Sequence, residues 1–168
     1  MTDWGDDVAG AILRPTVRVL LVDDLERVLL FRGDGEDGLP FWFPPGGGVE
    51  DDETHEAAGV RELAEETGLQ VEHPGALIGH RRHVITMTIW DGRLYDVRER
   101  WYLHRCAAFD IDTSGFTELE RQTMTVHRWF TRDDLRGTSE RLVPRDLAEL
   151  VDGLLIDGVP SAPLTIGI

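Results

Sequence analysis

The segment from Gly46 to Leu69 constrains this chain more than any other. It reads Gly-Gly-Gly-Val-Glu-Asp-Asp-Glu-Thr-His-Glu-Ala-Ala-Gly-Val-Arg-Glu-Leu-Ala-Glu-Glu-Thr-Gly-Leu and follows Pro44-Pro45. From Glu53 to Thr67 the residues favour a helix, with Ala57, Val60, Leu63 and Ala64 at helical spacing and Gly68 placed to end it. The prolines and glycines ahead of it form a loop whose backbone can approach a metal or a phosphate without side chains in the way. Glu62, Glu65 and Glu66 stand at i, i+3 and i+4, so their carboxylates share one face within about one helical turn. Like charges at that spacing cost about a few tenths of a kcal/mol per pair, whereas a hard cation such as Mg²⁺ favours such an oxygen cluster together with substrate phosphates. Arg61, one position earlier, can reach Glu65 or Glu53 and hold a carboxylate in place.

Around this segment the pattern is of strands with a closing helix. Val17 to Val22 reads as a mostly buried strand that turns at Asp23-Asp24-Leu25-Glu26 and returns through Arg27 to Phe31. A polar loop, Gly33 to Gly38, leads to a short aromatic strand, Phe41-Trp42-Phe43. Further strands are expected at Ala76 to His80, Val84 to Trp90, Arg98 to Phe109 and His127 to Phe130, with a turn at Asp91-Gly92 and a loop through Thr113 to Arg121. Thr131 caps a short helical turn, and Leu147, Leu150, Val151, Leu154 and Leu155 mark an amphipathic helix between Pro144 and Gly158. Residues 1–168 are expected to form one domain, with 160–168 a C-terminal tail.

Composition narrows the function. A formal net charge of −15 argues against long nucleic acid as a direct partner, since that binding depends on Lys and Arg neutralising phosphates. It leaves room for a small phosphorylated substrate, because a divalent cation between carboxylates and phosphates reverses the local field. Every basic side chain is Arg, so lysine Schiff-base chemistry is excluded. No apolar run approaches membrane-spanning length, and Met1 to Gly10 does not read as a secretory signal; a cytoplasmic location without membrane contact is the expectation. The one cysteine, Cys106, lies in an alternating apolar run, where a thiol fills space rather than attacks.

An acidic helix face is in general only a solvated surface. This one is more specific: it resembles the Nudix box, with Gly47, Glu53, Arg61, Glu62, Leu63, Glu65, Glu66, Gly68 and Leu69 filling every fixed position. The resemblance implies an α+β fold, an α/β/α sandwich with a mixed β-sheet between helices. It also implies hydrolysis of a nucleoside diphosphate linked to a further group X, by water attacking phosphorus with Mg²⁺ or Mn²⁺. By position, Glu62, Glu65 and Glu66 would ligate the metal, helped by a carbonyl near Gly46. The family does not fix its general base; a box glutamate such as Glu65 or a loop glutamate, Glu118 or preferably Glu120, could serve. Glu53 is expected to partner Arg61 and tie the loop to the helix. The partner is a small nucleotide-like diphosphate, and the resemblance is compatible with a homodimer.

Substrate contacts are expected from Gly47 and from Trp42 or Phe43, one of which could stack on a base while the other enters the core. Arg32 could meet a phosphate or a nearby carboxylate, and Arg81, in the Arg81-Arg82-His83 cluster, could bind phosphate or simply guard a sheet edge. His104 and His127 read as structural, and Trp90, Trp101 and Trp129 as core or interface. Two alternatives remain. An isopentenyl-diphosphate-type isomerase would need a catalytic cysteine, for which Cys106 lacks a setting, and a non-catalytic nucleotide-sugar sensor would be favoured by a degraded box.

Overall fold

A computed structural model describes residues 4–35, 37–88, 91–124 and 126–167. Its strands are β1 (Ile12–Val22), β2 (Val28–Asp34), β3 (Pro40–Phe43), β4 (Ala76–Thr86), β5 (Leu94–Arg105), β6 (Val126–Phe130), β7 (Arg141–Leu142) and β8 (Leu164–Thr165). Its helices are α1 (His55–Thr67), α2 (Glu118–Thr123), α3 (Arg132–Gly137) and α4 (Leu147–Asp157). The sheet runs β7-β3-β2-β1-β5-β4-β8, with β6 paired to β2. It is mixed: β1 and β5 are parallel, while β4 with β5 and β2 with β3 and β6 are antiparallel.

Strand alternation explains why β1 and β2 are apolar almost throughout. Val17, Val19 and Leu21 of β1, with Leu29 and Phe31 of β2, pack against Ala58 and Leu63 of α1. The intervening Leu20, Val22, Val28 and Leu30 pack with Trp42, Phe130 and the Leu147, Val151 and Leu154 stripe of α4. Strands covered on both faces need apolar side chains in both registers. The result is an α+β sandwich with two cores, one under α1 and one under α4. Among the described residues, no helix is long and apolar enough to cross a membrane.

Several boundaries differ from expectation. The two strands foreseen between Ala76 and Trp90 form one, β4, with an irregularity between Leu77 and Gly79; Trp90 lies outside the described residues. Within the segment expected as a tail, Leu164 and Thr165 pair with Gly79 and His80, the Ile166 N–H donates to the His80 carbonyl, and the Ile166 side chain is buried. A two-residue strand is too short to show periodicity in sequence. The expected loop through Thr113 to Arg121 contains the start of α2, because Thr117 and Glu120 form a reciprocal capping box.

Candidate functional site

The α1 helix starts at Thr54, whose hydroxyl accepts from the Ala57 N–H, and ends at Gly68 in the left-handed conformation. Glu62 and Glu66, one turn apart, face inward beside Leu63 and are buried, whereas the Glu65 side chain is 42% exposed. The glycine loop comes up against this face because its backbone pairs with β1, where Val17 donates to the Gly47 carbonyl and Val19 to the Pro45 carbonyl. Contact there is too close for side chains. A Cβ at Gly46 would lie 2.1 Å from the Val17 carbonyl oxygen, and one at Gly47 only 2.3 Å from Glu62 Oε1. The Gly46 N–H donates to Glu66 Oε2 at 2.8 Å.

Glu120 arrives from α2. Phe116, buried against Phe31, and the Asp112 N–H bonded to the Thr67 carbonyl bring this segment to the C-terminal end of α1. Oxygens of Glu62, Glu66 and Glu120 then lie within 4.8 Å of one another. One Glu120 oxygen accepts from the Thr117 N–H and hydroxyl, which fixes the side chain. Burial, and then the neighbouring Glu62 charge, push Glu66 well above the ordinary carboxylate range despite the Gly46 N–H. Burial also raises Glu62, partly offset by Arg61. Three converging carboxylates with oxygen donors alone suit a hard divalent cation, whose charge would relieve this electrostatic conflict.

Arg61 organises the rim. It binds both oxygens of Glu53, at 3.0 Å each, and also reaches the Gly48 carbonyl, Glu62 and Glu65. The bond from Arg61 holds Glu53 below the usual carboxylate pKa. Glu53 thus ties loop to helix as expected. Glu65 lies with Arg61, outside the Glu62, Glu66 and Glu120 trio.

Other expected contacts divide between the two faces. Arg32 and Trp42 lie on the α4 side, where both reach Glu140, and the Trp42 ring is buried against Phe130. Neither meets the carboxylates, because alternation aligns them with Leu30 rather than Phe31. Phe43 lies on the α1 side beneath the Arg18 guanidinium, 5.4 Å from its ring centre. Arg81 is not at an open edge: β4 lies between β5 and β8, and Arg81 is buried, bonded to Glu99 and the Gly167 carbonyl. It lines a cleft of about 410 Å³ with Arg141, Leu142, Val143, Pro144 and Arg145. Arg18 and Glu99 were not anticipated. The signal was present in Arg18, a charge inside the otherwise apolar run from Val17 to Val22.

Comparison with known proteins agrees with this architecture. The NUDIX domain family model matches residues 12–152. The RNA pyrophosphohydrolase of Dinoroseobacter shibae is 35% identical over 156 residues, covering 87% of this chain and 93% of the relative. That of Novosphingobium aromaticivorans is 36% identical over 115 residues, covering 64% and 71%. Among solved structures, the MutT protein of Methanosarcina mazei superposes with a TM-score of 0.65 at 19% identity, covering 89% of this chain and 99% of that one, a likeness of fold. With a complete glycine-to-leucine box on the loop and helix that carry the carboxylates, and a family match spanning most of its length, this chain belongs to the Nudix hydrolase family.

Proposed function

We propose that the protein is a metal-dependent pyrophosphohydrolase that cleaves a diphosphate linkage by water attack at phosphorus, with Glu62 and Glu66 holding Mg²⁺ or Mn²⁺ and Glu120 beside them as the base. The convergence of those three carboxylates carries the reading. When bound, the cation would polarise phosphoryl oxygens, offset leaving-group charge and lower the pKa of water. Gly46 fixes Glu66 through its N–H, Arg61 fixes the rim, and the Glu120 carboxylate, steadied by Thr117, would take a proton from water. Glu65, more exposed and bound to Arg61, is the competing base.

For substrate we favour the triphosphorylated 5′ end of a short RNA, ahead of nucleoside triphosphates and ADP-ribose. The names of the similar proteins support this order. A 5′ end asks for local contacts only, which a net charge of −15 permits. The test is pyrophosphate or phosphate release with Mg²⁺ or Mn²⁺ from short triphosphorylated RNA, nucleoside triphosphates and ADP-ribose. Glu66→Gln should abolish turnover, and Glu120→Gln should lower kcat by roughly 100-fold or more, with Glu65→Gln milder. If the wild type binds a diphosphate tightly yet releases no product from any of them, the sensor alternative replaces this reading.

A further inference from the structure

Glu99 is a charged side chain with only 2% of its surface exposed, in the middle of a sheet. Burial alone would raise its pKa, but Arg18, Arg81 and His83 outweigh that and keep it below the usual value. One oxygen lies 3.6 Å from Arg18 Nε; the other accepts from Arg81 Nη1 at 3.2 Å and Trp101 Nε1 at 2.8 Å. A buried charge held this way costs desolvation that an apolar residue would avoid. Its placement makes sense from what Arg18 does next. Arg18 Nη1 donates to the Gly46 carbonyl at 3.0 Å and the Pro44 carbonyl at 3.3 Å. Gly46 in turn donates its N–H to Glu66. A line of contacts therefore runs from Arg81 in the cleft, through Glu99 and Arg18, to the loop that holds a carboxylate of the cluster.

The charge balance shows why Glu99 is needed. Arg18 bonds the carbonyl of Gly46, whose N–H bonds Glu66, so the negative cluster attracts the guanidinium, as would any phosphate brought there. With Glu99 gripping the Nε side, the same planar fork is kept on the two loop carbonyls. We infer that Arg18 and Glu99 are positioning residues for the hydrolysis: Glu99 anchors Arg18, and Arg18 sets the Pro44–Gly46 backbone that orients Glu66. The inference rests on the reading of the carboxylate trio as a cation site.

Three variants test it: Arg18→Lys, Glu99→Gln and the double substitution. Arg18→Lys, at a partly exposed side chain, keeps the charge but not the fork, so it guards against a Glu99→Gln protein that does not fold. Mn²⁺ binding to the free protein, followed by the loss of its free-ion EPR signal, is measured beside kcat, KM and thermal melting. Each single variant should lower kcat roughly 10- to 100-fold and weaken Mn²⁺ binding, with KM changed by no more than about 3-fold. The double variant should be no worse than the poorer single, because the pair acts as a unit. Variants that melt earlier yet keep wild-type kcat and Mn²⁺ affinity would reduce the pair to a structural role and overturn the inference alone. A wild type that binds no Mn²⁺ would remove the cation reading and the inference together.

Discussion

At the scale of single residues, the site is a set of carboxylates whose ionisation conflicts with their burial. Glu66 shows this best, since burial and the adjacent Glu62 keep its proton on above the range of a free carboxyl. In cation-free protein the native state then retains a proton that the unfolded chain has released, so this contribution to stability falls as pH rises from roughly 4.3 through the raised native pKa. Melting curves in EDTA should show wild type losing stability relative to Glu66→Gln across that window. Added Mg²⁺ should reduce or reverse the difference, because it favours the ionised form; a difference flat in pH in EDTA would contradict the burial argument. Much of this was legible in advance. The i, i+3, i+4 spacing placed Glu62, Glu65 and Glu66 on one face, but all three lie within one turn, and only packing against β1 and the glycine loop decides which two turn inward. Sequence could also have supplied the reason why Trp42, rather than Phe43, enters the α4-side core and Arg32 meets a carboxylate there: both share the parity of Leu30.

Elements that carry little sequence signal hold surprisingly specific positions. The α2 helix has six residues and no buried side chain, yet its capping box orients Glu120. The Thr117-x-x-Glu120 spacing is visible in the sequence, but no apolar periodicity follows it to mark a helix. At the C-terminal end, β8 adds two residues to the sheet and delivers Ile166 to the α4-side core, while the Gly167 carbonyl accepts from Arg81. Ile166→Ala should therefore destabilise the protein by about 2 kcal/mol or more, measured by denaturant unfolding, where a tail residue would cost almost nothing. Long, strongly patterned elements such as β1, α1 and α4 were readable because each buries a face along several turns or residues. Short ones depend on partners distant in sequence, which periodicity does not record.

For the whole molecule, charge and architecture act together. The net charge of −15 opposes any extended polyanion. If a triphosphorylated RNA is the substrate, lengthening it beyond the first few nucleotides should leave KM unchanged or raise it. A KM that falls steadily with length, with a steep salt dependence, would reveal a nucleic-acid surface that this charge distribution does not provide. The two cores also have different duties. The carboxylates ride on α1 and its core, while the cleft is assembled from β4, β7 and the approach to α4 on the opposite face. The Pro44–Gly48 loop is where the faces meet, so a change in the second core would reach the α1 side through Trp101, Glu99 and Arg18.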